Sequence, residues 1–339
     1  MIDYHIAWFL LLMVLLMGYA ILDGFDLGVG ILHPFTRTDH ERRLALNAIG
    51  PLWDGNEVWL VTFGGALFAA FPDVYATVLS GMYLPIMAVL SGLIGRAVSI
   101  EFRSKVNSAF WRSYWDWSFF ASSVVVVGLF GVALGNVVGG IPVGADREFV
   151  GTIADFFSPF ALSIGVLAVM GAAMHGAIYL HLKTEGELHE RTRGWMWKSF
   201  FGFALAYAVA TVLALDSVPH VTHNFDRWPW AWGVVVLNVL AVANIPRAIH
   251  HGRPGWAFAS SCCTIAALTF MVGMALFPNL VVSSIDPKYS LDIMSAASSD
   301  GTLRRMSVIA LIGMPLVATY TTVVYWIFRG KVRLGENSY

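Results

Sequence analysis

Apolar residues come in blocks along this chain rather than in alternation. Nine blocks approach the ~20 apolar residues that a bilayer-spanning helix needs, at residues 6–32, 48–71, 74–95, 117–140, 155–180, 196–216, 230–249, 256–282 and 305–328. Charges, prolines and glycines collect between them, as in 33–47, 101–115, 181–198 and 283–304. The pattern predicts an all-α integral membrane protein of about nine transmembrane helices. Four, four and one is the natural parse: a first four-helix bundle over 1–140, a second over 141–282, then an outer loop, ninth helix and tail over 283–339. An even unit repeats in parallel orientation, unlike the inverted repeats of many transporters. Gly131-Val-Ala-Leu and Gly273-Met-Ala-Leu, near the ends of the fourth and eighth blocks, are alike but too short to establish a duplication.

Composition agrees with this picture. Of 339 residues, 57% are hydrophobic and 13% charged, against about 25% charged in an average soluble domain. Mean hydropathy is +0.67. Such a chain is not disordered, not a soluble nucleic-acid binder and not a disulfide-stapled secreted module. Cys262 and Cys263 are adjacent inside an apolar block and read as small buried side chains, because sequence neighbours rarely form a disulfide. No CxxCH or CxxC occurs, so no heme is expected to be attached covalently and no zinc or iron–sulfur site is marked. Residues 1–7 carry no Lys or Arg, and the first block outruns a signal-peptide core, so it reads as a retained span.

Basic residues set the expected orientation. Sixteen of the 21 Lys and Arg fall in or beside connections that follow odd-numbered blocks. Those connections are expected in the cytoplasm, with the N-terminus outside and the C-terminus inside. Arg304 and Arg305 form the one discordant cluster.

Ionisable groups inside a span are functional candidates. The first block ends Gly18-Tyr-Ala-Ile-Leu-Asp23-Gly-Phe-Asp26-Leu-Gly-Val-Gly30, and the second begins Gly50-Pro-Leu-Trp53-Asp54-Gly-Asn56-Glu57-Val-Trp59. Each pair of acids is three apart, so each shares a helix face. At 1.5 Å per residue, Asp23 and Asp26 fall roughly 4–10 Å above the inner edge of the apolar layer, and Asp54 and Glu57 come to about the same level. Four carboxylates are therefore expected to converge near the cytoplasmic side, where they could pass protons inward. The plainer alternative is that they cap helix turns or pair with an Arg from another helix. The glycines around them read as packing devices.

Other polar positions are weaker. His175 is the one histidine well inside a block and could ligate heme iron, although a lone histidine on an apolar face more often serves as a hydrogen-bonded core residue. Arg96 and Glu101 close the third block and are expected at the interface, while Asp116 is expected to open the fourth helix. Asn238 and Asn244 are placed to bridge helices. There is no Walker A motif, HExxH or G-x-S-x-G.

At these residues the chain resembles a known family. Asp23-Gly-Phe-Asp26-Leu-Gly-Val-Gly30, Gly50-Pro-Leu-Trp53-Asp54-Gly-Asn56-Glu57-Val-Trp59-Leu60 and Gly64-Gly-Ala-Leu-Phe-Ala-Ala-Phe-Pro72 resemble subunit II of the cytochrome bd-type quinol oxidases. So do Arg103-Ser-Lys105 with Trp111-Arg112 and Trp115-Asp-Trp117, Gly186-Glu-Leu-His189 with Arg191-Thr-Arg193, Phe277-Pro-Asn-Leu-Val-Val-Ser-Ser284, and Ala297-Ser-Ser299 with Thr302-Leu303. The matches span nearly the whole chain in the family's order.

The resemblance implies two four-helix bundles plus one peripheral helix. It implies a partner, subunit I, that carries two b-type hemes, one d-type heme and the quinol site, while subunit II carries no heme ligand. The complex oxidises quinol and reduces dioxygen to water with cytoplasmic protons, so this chain alone holds no complete active site. The expected location is the bacterial cytoplasmic (inner) membrane. Carried over by position, Asp54 matches the acid assigned to a proton path at the subunit interface, and Asp23 and Asp26 match the acids of the first helix. Trp53, Asn56 and Trp59 match positions around that site. Glu57 stands where some relatives carry Gln and adds an acid to the cluster, whereas His175 falls on no family motif. The resemblance leaves open a bound quinone in this subunit and a small single-helix third subunit. Two other readings fit the buried acids on physics alone: a proton-coupled secondary transporter, which the even parse disfavours, and a scaffold for subunit I without a proton role.

Overall fold

The computed structural model of the chain describes residues 3–335. Helix α1 (Tyr4–Leu32) begins where the Asp3 carboxylate accepts from the His5 and Ile6 amides. A short polar helix, α2 (Asp39–Ile49), follows, capped by Thr38. Helix α3 (Trp53–Ala70) then re-enters the apolar layer. It stops at Phe71 because Pro72 opens a new helix, α4 (Pro72–Gly81), at its first position, where the missing amide hydrogen costs nothing. The axes of α3 and α4 differ by 118°. The next span is α5 (Tyr83–Phe102). The third block, expected at 74–95, is therefore divided between α4 and α5, and the spanning helix ends seven residues later than expected.

The remaining helices are α6 (Ala109–Gly139), α7 (Pro159–Lys183), α8 (Gly186–Ser217), the one-turn α9 (His223–Arg227), α10 (Trp232–His250), α11 (Pro254–Leu276) and α12 (Asp300–Ile327). Among the described residues, eight helices are long and apolar enough to cross a membrane, and the bent pair α3 with α4 passes the same test of length and composition when taken together. α6 and α8 start well before their apolar blocks. α6 carries Arg112, Ser113 and Asp116 in its first two turns and α8 opens on the polar run 187–193, and hydropathy does not mark a helix where charges interrupt the apolar pattern.

α1 occupies the middle of the molecule and packs against α3, α6, α7 and α11. Its approach to α7 is backbone to backbone. A Cβ built on Gly28 would lie 2.0 Å from the Ala172 carbonyl oxygen, and one on Gly176 would lie 2.5 Å from the Gly28 carbonyl carbon. α12 is peripheral: no residue of its apolar window is buried. It is pinned at one end by the Trp8 indole, which donates to the Leu303 carbonyl (3.1 Å). Two side-chain amides bridge helices as expected, Asn238 to the Tyr207 hydroxyl (3.0 Å) and Asn244 to Ser260 (2.9 Å). Cys263, expected to be buried, faces outward from α11, and Cys262 is half-buried.

The end at which α1 starts is closed by a small cap. Strand β1 (Asn279–Val281) pairs antiparallel with β2 (Leu291–Asp292). Ser283 donates to the Val143 carbonyl (2.8 Å), and Arg147 to that of Ser295 (2.9 Å). Beneath the cap lies an apolar cluster that includes Trp8, Phe71, Met82, Ile141 and Leu303.

The opposite end is tied by charges. Asp116 accepts from Arg103 Nε (2.5 Å) and Arg42 Nη1 (2.9 Å) and lies 2.6 Å from His33 Nε2. α6 begins at Ala109, so Asp116 stands two turns inside the helix it was expected to open. Glu41 of α2, outside every span, accepts two hydrogen bonds from Arg191 of α8 (2.8 and 2.5 Å). Burial pushes its carboxyl up, but the Arg37 amide and the Arg191 guanidinium outweigh this and hold it below the ordinary carboxylate range. A lowered folded value means the stabilisation is full above the unfolded pKa and is lost as pH falls through the folded one. Glu41→Gln should therefore lower stability by about 1–2 kcal/mol at pH 7. The gap to wild type should close in acid, as thermal unfolding at pH 7 and below pH 4 will show.

Candidate functional site

The polar centre of the molecule is built from α1, α3 and α5. Asp23 and Asp26 project from one face of α1, and both are completely buried. α5 brings Arg96, also completely buried, against Asp23. The contact is bidentate: Arg96 Nη1 donates to Asp23 Oδ2 (2.8 Å) and Nη2 to Oδ1 (2.6 Å). This fork-to-fork geometry is the strong form of an ion pair. Glu57 of α3 approaches the same guanidinium, with Oε1 3.2 Å from Nη2.

Asn56 of α3 serves the other acid. Its Nδ2 donates to Asp26 Oδ2 (2.7 Å) and to the Leu22 carbonyl (3.1 Å). Its Oδ1 accepts from the Tyr325 hydroxyl of α12 (2.9 Å). Asp26 Oδ1 is buried and makes no hydrogen bond among the described residues. The site thus sets two fully buried carboxylates and the half-buried Glu57 near one buried guanidinium. Buried charge must be paired or neutralised, and the unequal count gives this group the capacity to hold protons where cations are lacking.

Three of the four expected acids converge, and Asp54 does not. Asp54 is exposed on the outer side of α3, with no hydrogen bond or ion pair among the described residues. Helical geometry explains the split. At about 100° per residue, a helix that turns Asn56 toward α1 sends Glu57 to the side and Asp54 roughly 200° away. Trp53 is half-buried, and the Trp59 ring lies over Gly18, where an added Cβ would sit 2.1 Å from Cε3.

Arg96 is the residue that sequence reasoning misplaced. It was expected at the interface, but the later end of α5 puts it inside the apolar layer. The signal was present: apolar residues continue past it as Ala97-Val98 and Ile100, with Phe102 after them. The pairing of Asp23 with an Arg from another helix is the alternative raised from the sequence, and it holds for this acid.

His175 is completely buried on α7. Its Nδ1 lies 2.7 Å from Ser261 Oγ and its Nε2 3.0 Å from the Ile21 carbonyl oxygen. The ring stacks on Phe258, with centroids 4.8 Å apart. Both ring nitrogens are engaged by the protein, so this histidine does not fit as a heme ligand. Among the described residues, no group of three or more His, Cys, Asp or Glu is arranged to hold a metal ion.

A family model described as cytochrome bd terminal oxidase subunit II matches residues 4–328. The chain is 36% identical to cytochrome bd-I ubiquinol oxidase subunit 2 of Escherichia coli strain K12, over 98% of this chain and 97% of that one. It is also 36% identical to cytochrome bd ubiquinol oxidase subunit 2 of Bacillus subtilis strain 168, over 98% of each chain. Its fold is similar to that of a chain in the structure of bd oxidase from Geobacillus thermodenitrificans, with a TM-score of 0.80 at 18% identity, covering 96% of this chain and 99% of that one.

Proposed function

The chain belongs to the cytochrome bd terminal oxidase subunit II family, and on that premise we propose that it is the heme-free subunit of a respiratory quinol:dioxygen oxidoreductase. In this reading it stabilises a heme-bearing subunit I and contributes to proton uptake from the cytoplasm. The partner holds two b-type hemes and one d-type heme, which supply electron transfer and dioxygen reduction. This chain's own share is helix packing and the handling of protons. The bidentate Asp23–Arg96 pair with Asp26 and Glu57 beside it is the observation that carries the proton role. Asp54, on the outer side of α3, is open to coverage by a partner subunit, and Glu57 one turn along stands between it and the buried group. That order, surface acid, half-buried acid, buried pair, is what a proton entering from a subunit interface would use.

In this reading the complex lies in the bacterial cytoplasmic membrane, as the family implies, and the uneven spread of the 21 Lys and Arg supports an N-terminus outside and a C-terminus inside. The chain divides in this reading into bundles over 1–140 and 141–282, and a third part over 283–339 that contains α12. Asp54→Asn tests the proton role, because it removes an ionisable group from an exposed position and leaves the buried cluster intact. The purified complex should assemble normally, with lowered oxidase turnover and slower proton uptake. Normal turnover in the assembled variant would remove Asp54 from the path.

A further inference from the structure

The turn between α10 and α11 follows from its sequence. Gly252 has φ +63°, a left-handed conformation that glycine adopts without strain. Its amide donates to the Ile249 carbonyl (3.1 Å), and the Arg253 amide reaches back to that of Ala248 (2.9 Å). These two bonds are the helix-ending pattern that a glycine permits. Pro254 then starts α11 at its first position. The reversal is tight, and it crowds Asn244, Arg247 and His251 of the α10 end against Arg253 and Trp256 around a groove of about 240 Å³.

The groove is strongly one-signed. No Asp or Glu occurs between Asp226 and Asp286. Arg247 donates to the Asn244 side-chain oxygen (3.0 Å), and among the described residues neither Arg247 nor Arg253 is ion-paired with an acid. Away from the groove the outward faces turn apolar, with Val236, Val239 and Leu240 exposed on α10 and Ala259 and Cys263 on α11. Trp256, 64% exposed, stands at the boundary between the two characters, the level that tryptophan favours at a membrane interface.

We propose that this groove binds the headgroup of an anionic phospholipid. Arg247 and Arg253 hold the phosphate oxygens, a task suited to the guanidinium fork, and the acyl chains lie along α10 and α11. A free phosphate ion would use the arginines but not the apolar faces below them.

The test uses the full chain in its native assembly, purified in detergent. Phosphatidylglycerol or phosphatidylcholine with brominated acyl chains is titrated in, and the quenching that depends on Trp256 is read as wild type minus Trp256→Phe. Phosphatidylglycerol should quench at a several-fold lower lipid fraction. Arg247→Gln with Arg253→Gln should weaken it by about five-fold for each arginine removed and leave phosphatidylcholine unchanged, whereas the double lysine variant should keep the preference. Equal titrations of the two lipids would overturn the proposal. So would complete displacement of phosphatidylglycerol by millimolar inorganic phosphate at fixed ionic strength, because the site would then belong to the free ion.

Discussion

Arg96→Met is expected to cost about 3–5 kcal/mol, the largest loss of any single change in the polar centre. The substitution removes both hydrogen bonds to Asp23 and leaves Asp23, Asp26 and Glu57 facing no cation, two of them completely buried. Breaking one partner of a buried pair is far worse than removing both, because the orphaned charge keeps its desolvation cost. Arg96→Met with Asp23→Leu should therefore recover much of the loss. Arg96→Lys should fall between, since an ammonium keeps the charge but cannot fork onto two carboxylate oxygens. Thermal unfolding of the purified assembly and its yield from membranes give the comparison. A single Arg96→Met variant as stable as wild type would mean that the pair plays no part in holding the helices together.

The second large effect belongs to a glycine. Gly28→Ala would set a methyl group 2.0 Å from the Ala172 carbonyl oxygen and 3.0 Å from Gly176 Cα. Both are backbone atoms, so no side chain can rotate away, and α1 and α7 must part. The expected cost is at least the ~1–3 kcal/mol of an overpacked core. The damage should spread along the same seam, where His175 of α7 lies 3.0 Å from the Ile21 carbonyl oxygen of α1. Gly64→Ala is the internal control. A Cβ there meets nothing within 4 Å, and alanine favours the helix over glycine by up to about 1 kcal/mol. If the two variants melt together, the close approach of α1 and α7 is not what holds this seam.

Helix number and the common level of Asp23, Asp26 and Glu57 along neighbouring helices were legible because both depend on distance along the chain. Lipid demands a long apolar block for each crossing, and 1.5 Å per residue converts position into depth. Azimuth was not legible. α3 is apolar on most sides, so no polar face marked which way Asp54 turns, and only the contact of Asn56 with α1 and α12 settles it. Arg96 was hidden by a different ambiguity. Residues 74–100 form one apolar stretch whose only charge is Arg96, and hydropathy does not distinguish a helix pair broken at Met82 from a single span counted off from its start. Counting from the start ends the span near residue 95, which makes a buried arginine look like a boundary one.

Tyr325 of α12 holds the Oδ1 end of the Asn56 amide. An amide is a reversible group, one end giving hydrogen bonds and the other taking them, and the Leu22 carbonyl, which can only accept, decides which end is which. With the amino end held by that carbonyl, Asp26 meets a donor rather than a second oxygen, and the oxygen end is left to the Tyr325 hydroxyl of α12, which can give as well as take. The backbone of α1 thus chooses the chemical sign of the neighbour that an enclosed acid on the next turn of the same helix sees.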